Sequence, residues 1–283
     1  MTIDGATRLA GVIGWPVKHS LSPAMHNAAY AALGLNWCYV PLPVQPDKLG
    51  DALRGARALG LAGVNVTIPH KEAVIPYLDH LSAAAGAIGA VNTVTIEADG
   101  SLSGDNTDVF GFLAALERAG VEVAGRTALL LGAGGAARAA AYGLLTRGAR
   151  VRILARTAGR AVVLAGDMRQ SIPGAAIEPI AAPCPADLVV NCTPVGMWPH
   201  EAESPLPAGL ALRPGMAVMD MVYRPLETRL LSQARAAGAQ LISGLDMLVY
   251  QGAAAFERWV GQPAPADVMR AACLRALGEA HGL

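Results

Sequence analysis

The sequence predicts an α/β fold with largely parallel sheets, shared between two domains. Short apolar runs of β type alternate with Ala/Leu-rich helical stretches from end to end. The 283 residues exceed the roughly 100–200 that a single core usually organises. Near the middle, a glycine-rich turn joins an apolar strand to a helix.

In the first part, strands are expected at 8–14, 37–43, 62–68 and 90–97, each a short apolar run bounded by polar, Gly or Pro residues. Helices are expected near 23–33, 46–59, 70–79 and 108–119. Pro23 suits a first helical position, Pro69 stops the third strand ahead of the next helix, and Asp108 precedes the helical run VFGFLAALERAG. A second series follows: strand 126–131, helix 135–147, strand 150–154, helix 159–169, strands 187–191 and 216–220, helix 226–237 and strand 239–242. Two final helices, 246–260 and 265–281, have no strand after them, and the first domain is the candidate surface for them.

Composition narrows the functions. Hydrophobic residues make up 53%, charged residues 16% and the formal net charge is zero, which supports a packed core and excludes disorder. No segment concentrates Lys or Arg, so nucleic acid is not an expected partner. The longest nearly uncharged stretch, 81–96, is too short and too polar to span a membrane. An acid at Asp4 and the lack of a basic, then apolar, leader argue against a signal peptide. Cys38, Cys184, Cys192 and Cys273 show no CxxC spacing, and the six histidines show no ligand spacing. The expected setting is therefore the reducing cytoplasm, with no metal. Cys192 lacks an organised base and reads as an apolar filler.

LGAGGAA at 131–137 follows the strand TALLL and opens a helix, the context of a dinucleotide site. Gly132 and Gly134 let the backbone turn and approach a pyrophosphate, which the free N–H groups and dipole of the helix N-terminus stabilise. The next strand ends about 20 residues past the first glycine, where an acid would hold the ribose of NAD. Here the residues are Ala155, Arg156 and Thr157, with Arg160 one turn on, and guanidinium groups suit the 2′-phosphate of NADP.

Polar motifs in the first part suggest a second ligand. In HSLSPAMH (19–26), Ser22 before Pro23 reads as a helix N-cap, and Ser20 at the same helix mouth could join it in holding a carboxylate. In NVTIPHK (65–71), Lys71 is one of only three lysines among 22 basic residues. A cation at the start of a helix opposes the dipole, and lysine, unlike arginine, can release its proton. AVNTV (90–94) and GDNTD (104–108) each end a strand with an Asn-Thr pair that either caps a turn or reads ligand hydroxyls. Gln251 interrupts the apolar stripe of 244–259.

HSLSP, NVTIPHK, AVNTV, GDNTD, GAGGAA, NCTPVGM, DMVYRP and GLDMLVYQGA, in this order and spacing, resemble the shikimate dehydrogenase family over nearly the whole chain. The resemblance implies a substrate domain over 1–107, a Rossmann-type NADP-binding domain over 108–243, and C-terminal helices (244–283) that return to the substrate domain. It implies reversible reduction of 3-dehydroshikimate to shikimate with NADPH, a step toward aromatic amino acids. Ser20 and Ser22 would bind the substrate carboxylate; Thr67, Asn92, Asp108 and Gln251 would bind ring hydroxyls, with Asn65 supporting that edge of the pocket. Lys71 and Asp108 would form the acid/base pair, or Lys71 would mainly orient substrate while water moves the proton. Gly132, Gly134, Gly135 and Ala136 would face the pyrophosphate, and Arg156, Thr157 and Arg160 the 2′-phosphate. Thr193, Met221, Tyr223 and Gly244 would frame the nicotinamide, with Tyr223 also touching substrate. Ala155 replaces an asparagine common in the family, which removes one adenosine contact. The rival readings are a quinate/shikimate dehydrogenase with relaxed NAD/NADP use and a non-catalytic NADP-binding regulator. No motif distinguishes a monomer from a homodimer.

Overall fold

The computed structural model describes residues 3–278. These form two units: one takes the described residues up to Thr107 and those from Gln251 onward, the other Asp108–Tyr250.

In the first unit the elements are β1 (Arg8–Gly14), α1 (Ser22–Ala32), β2 (Trp37–Pro43), α2 (Leu49–Ala58), β3 (Gly63–Val66), β4 (His80–Leu81), α3 (Ala83–Ile88), β5 (Thr93–Ile96) and β6 (Leu102–Asp105). Their sheet runs β2-β1-β3-β5-β6-β4. β1 is parallel to β2 and β3, but β5 runs antiparallel to both β3 and β6, so the expected parallel sheet is a mixed one here. The cause is local. Asp99-Gly100 turns the chain straight back on itself, with Gly100 at φ 84° and the Glu97 N–H donating to Ser101 O at 2.9 Å.

Two expected helices change. The one placed at 46–59 divides into a 3₁₀ turn, Pro46–Lys48, and α2. The one placed at 70–79 does not form; turns and a single 3₁₀ turn, Ile75–Tyr77, take its place. Pro76 disfavours helical geometry at Ile75, and the Lys71 carbonyl accepts from the Val91 N–H at 2.8 Å instead of serving a helix.

α1 buries Ser22, Met25, His26, Ala29 and Tyr30, the spacing of one helical face. The C-terminal elements are α8 (Gly244–Val260) and α9 (Ala266–Ala276), and α9 packs on α1. The expected end of the last helix at 281 lies outside the described residues. From α8, Trp259 lies over β3 and donates its indole N–H to Val94 O at 3.3 Å. A Cβ on Gly63 would stand 2.1 Å from that indole nitrogen, so the glycine makes the docking possible.

The second unit contains α4 (Asp108–Arg118), β7 (Thr127–Leu131), α5 (Gly135–Thr146), β8 (Arg150–Leu154), α6 (Ala158–Ser171), β9 (Ile177–Pro179), β10 (Leu188–Asn191), β11 (Ala217–Asp220), α7 (Arg229–Ala236) and β12 (Gln240–Ser243). All its strands are parallel, in the order β12-β11-β10-β7-β8-β9. Alternation along β7 builds both faces. Ala128 and Leu130 join a core with α4, α5 and α6, while Leu129 and Leu131 join one with α7. Counted from β7, the strand order is that of the doubly wound dinucleotide fold, with its switch point between β7 and β10.

Candidate active site

In the first unit Asn65, Asn92 and Gln251, singled out from sequence, meet in one buried network. Asn65 lies in β3, where its Oδ1 accepts from the Tyr39 hydroxyl at 2.7 Å. Its Nδ2 donates to Asn92 O at 3.2 Å and to Thr93 Oγ1 at 3.1 Å. Both amide hydrogens are thereby used inside the protein, which leaves Asn65 only acceptor capacity toward a ligand. Asn92 Oδ1 accepts from the Thr107 N–H at 2.7 Å, and Asn92 Nδ2 donates to Gln251 Oε1 at 3.2 Å. Asn65, Asn92, Thr93, Thr107 and Gln251 are all buried, so the network is a fixed polar wall in a region otherwise packed with apolar side chains.

Thr67 follows Asn65 by two residues, and a Cβ on Gly14 would lie 2.5 Å from its Cγ2. The Thr67 carbonyl closes a tight turn by accepting from the His70 N–H at 2.9 Å, and His70 Nε2 lies 2.8 Å from Val44 O. This turn delivers Lys71, half-buried, to the end of β3. Lys71 therefore sits in a turn and not at a helix start, and the expected conflict with a helix dipole does not arise. Ser22 is likewise not the helix cap. It is the first residue of α1, the N-cap is Leu21 with no side-chain cap, and Ser20 Oγ accepts the Ser22 N–H at 3.2 Å. The Ser22 hydroxyl acts on the phenol of Tyr39, which links the serine end of the site to Asn65. Arg258 of α8 pairs with Asp105, and Asn106 Nδ2 donates to Ala90 O at 2.8 Å. These contacts fix the segment that leads into Asp108, buried as the first residue of α4.

Sequence reasoning misses Thr93, Thr107 and Tyr39 as members of the site. The two threonines are visible as second members of the Asn-Thr pairs. Tyr39 carries no signal, because it reads as an ordinary strand aromatic.

In the second unit the glycine loop leaves β7 at the switch point. Gly132 has φ 110°, and a Cβ there would stand 2.9 Å from Thr193 Cγ2. Gly134 caps α5 with no side chain, so the first-turn N–H groups of Gly135 and Ala136 are left for an anion. Leu131 is paired with Leu154, and the Gly132 N–H donates to Leu154 O at 2.9 Å. That register places the exposed Arg156, Thr157 and Arg160, which follow β8, beside the glycine loop. Thr193, Met221 and Gly244 follow the C-terminal ends of β10, β11 and β12, with Tyr223 two residues beyond Met221. α8 begins at Gly244, two residues earlier than expected. A Cβ on Gly244 would lie 2.5 Å from Met221 O, so these strand ends approach more closely than any side chain allows.

The loop at Gly132 yields a direct prediction. Gly132→Ala forces a side chain into positive φ against Thr193, at a cost of about 1–3 kcal/mol. Thermal unfolding should register that loss, and NADP⁺ titration a drop in affinity of at least about tenfold, since 1.4 kcal/mol of lost contact suffices. Unchanged affinity would remove Gly132 from the phosphate site.

A parallel sheet in this order, with a glycine turn at its switch point and arginines after its second strand, defines a dinucleotide-binding dehydrogenase of the Rossmann class. Two family models match the chain: "Shikimate dehydrogenase substrate binding domain" over residues 12–94 and "Shikimate 5'-dehydrogenase C-terminal domain" over 244–274. A shikimate dehydrogenase (NADP(+)) of Moorella thermoacetica is 49% identical, covering 99% of this chain and 97% of the relative. A crystal structure of a shikimate dehydrogenase in complex with NADP+ has a TM-score of 0.92 at 41% identity, over 98% of each chain. That of the Thermus thermophilus enzyme in complex with NADP(H) and shikimate has a TM-score of 0.85 at 41% identity, over 95% of this chain and 100% of the other. The chain belongs to the shikimate dehydrogenase family.

Proposed function

We propose that this chain reversibly reduces 3-dehydroshikimate to shikimate, with NADPH as hydride donor, in the biosynthesis of aromatic amino acids. The observation that carries the reading is the presence, in one chain, of a buried amide and hydroxyl wall and a glycine cradle flanked by two arginines. The wall suits a small polyhydroxylated ring, because each buried polar group left without its partner by a poorer ligand is costly. The cradle suits the cofactor, since a Cβ on Gly132 would fill the approach to Thr193.

The roles follow from position and charge. Ser20 and Ser22 hold the substrate carboxylate at the mouth of α1. Thr67, Asn92, Asp108 and Gln251 read the ring hydroxyls, with Asn65 keeping Asn92 in place from behind. Bound NADPH supplies the hydride, and the charge that then develops on the ketone oxygen needs a proton. Lys71 provides it, with Asp108 as its partner in the acid/base pair. Gly132, Gly134, Gly135 and Ala136 bind the pyrophosphate; Thr193, Met221, Tyr223 and Gly244 frame the nicotinamide. The setting is the cytoplasm, which four free cysteines suit. The ligands are small molecules, taken up by a monomer or homodimer.

The test is the nicotinamide absorbance change with shikimate or quinate, each with NADP⁺ and NAD⁺. Fastest reduction is expected with shikimate and NADP⁺; equal or faster turnover with quinate or NAD⁺ would overturn the assignment. Arg156→Ala should weaken NADP⁺ by roughly tenfold or more, the worth of one charge-assisted hydrogen bond to phosphate, and leave NAD⁺ nearly unchanged. Equal losses for both would place the 2′-phosphate elsewhere.

A further inference from the structure

Asp220 is fully buried at the end of β11, an unusual place for a carboxylate that has no ion pair among the described residues. Three donors converge on it, one from β10 and two from the stretch that follows β11. Asn191 Nδ2, at the end of β10, reaches Oδ1 at 2.8 Å; the Val222 N–H reaches the same oxygen at 3.0 Å; and the Thr228 hydroxyl reaches Oδ2 at 2.6 Å. Thr228 in turn caps α7 by accepting the Leu231 N–H at 3.3 Å.

The hydrogen bonds run in one direction. Thr193 donates both its N–H, at 3.0 Å, and its hydroxyl, at 2.7 Å, to Asn191 Oδ1. Asn191 passes the chain on through its own amide to Asp220. The end of such a chain needs an oxygen that accepts from Asn191 and the Val222 N–H, which Asp220 Oδ1 supplies while Oδ2 accepts from the Thr228 hydroxyl. Burial raises the carboxyl above its ordinary range, and the hydrogen bonds from Thr228, Val222 and Asn191 oppose that shift. The backbone on either side of the carboxylate is also tightly placed, because a Cβ on Gly244 would stand 2.7 Å from Asp220 O.

We propose that Asp220 is a positioning residue that sets the loops after β10 and β11, and through them Thr193, Met221 and Tyr223, at the nicotinamide end of the cofactor site. This rests on the cofactor reading above. The hydrogen bonds of Asp220 go to Asn191, Val222 and Thr228, none of which directly follows β7 or β8, where the adenosine-side residues lie. Removal of Asp220 should therefore disturb hydride transfer and leave the grip on the adenosine 2′-phosphate intact. A residue that merely held the unit together would disturb both.

The experiment compares NADPH turnover with the affinity for adenosine 2′,5′-bisphosphate, which lacks the nicotinamide. Asp220→Ala should lower kcat at least tenfold while the bisphosphate affinity stays within twofold. Asp220→Asn should recover most of the loss, because its oxygen can still accept from Asn191 and Val222 while the Thr228 hydroxyl turns to accept. Should the alanine variant fail to fold, Asn191→Ala leaves Asp220 its other two donors and should show the same split. Equal loss of turnover and bisphosphate affinity, unchanged kcat in the alanine variants, or an Asp220→Asn variant as impaired as Asp220→Ala would each overturn the proposal. A wild-type protein that binds the bisphosphate and NADPH no better than a boiled control would instead remove the cofactor reading, and this proposal with it.

Discussion

Lys71→Ala should lower kcat by about 10²–10⁴-fold, the usual worth of a positioned acid or base, while NADP⁺ affinity stays within about twofold. The backbone sets the position of Lys71. The tight turn from Thr67 to His70 and the hydrogen bond from the Val91 N–H to the Lys71 carbonyl fix where the side chain starts. Its neighbour His70 is buried and anchored to Val44 O, so the segment has little freedom to take the amine elsewhere. Lys71→Arg separates the two roles left open by the sequence. Arginine keeps the charge and can orient an anionic or polar substrate, but it does not release a proton near neutral pH. If the lysine donates the proton, the arginine variant should be nearly as slow as the alanine one with its shikimate KM largely preserved. If orientation is the main role, the arginine variant should regain most of kcat. An alanine variant with wild-type kcat and only a raised KM would end the catalytic assignment.

How much of this is legible in sequence depends on how far apart the cooperating residues lie. The dinucleotide unit is readable because its signals are local. The strand TALLL, the glycine turn and the helix after it are contiguous, and the arginines follow the very next strand. The first unit is readable as motifs but poorly as elements. β4 has two residues and β6 four, too short for alternation to show, and β9, with three, escapes for the same reason. The helix expected at 70–79 fails because apolar spacing mimics a helix across Pro76, which breaks it. The Asp99-Gly100 turn is the overlooked cue that β5 and β6 form a hairpin. The polar wall is hidden for a different reason. Its link from Asn92 to Gln251 joins residues 159 positions apart, and only the tertiary fold brings such partners together. Asp220 is hidden in part for the same reason: Val222 and Thr228 follow it closely, but Asn191 reaches it from another strand, 29 positions away.

Acid should destabilise this protein through His26, and the effect can be isolated. His26 is completely buried on the inner face of α1, stacked on Tyr39 with ring centroids 4.3 Å apart and surrounded by Tyr30, Phe256 and Trp259. Neither ring nitrogen has a hydrogen-bond partner among the described residues. Desolvation with nothing to stabilise the cation lowers the pKa from 6.5 to about 3. As pH falls from 7.5, the unfolded chain takes up a proton near 6.5 while the native ring stays neutral until about 3. The unfolded state therefore binds more protons throughout that window, so stability falls as pH falls. Between pH 7.5 and 5 the loss amounts to about 2 kcal/mol, from 1.36 kcal/mol per pH unit over roughly one and a half units. Asp220 contributes with the opposite sign, because its raised pKa lends stability at low pH that is lost as pH rises through the folded value. A bare pH profile would mix the two. His26→Phe keeps an aromatic ring against Tyr39 and removes the titrating group together with two unsatisfied buried nitrogens, a change that is often neutral or stabilising. Any repacking cost of the larger ring is independent of pH. The stability of His26→Phe minus that of the wild type, from urea unfolding, should therefore rise by about 2 kcal/mol on going from pH 7.5 to 5. A difference that stays constant across that range would mean that His26 is protonated in the native protein, or that its ring is reached by water in solution.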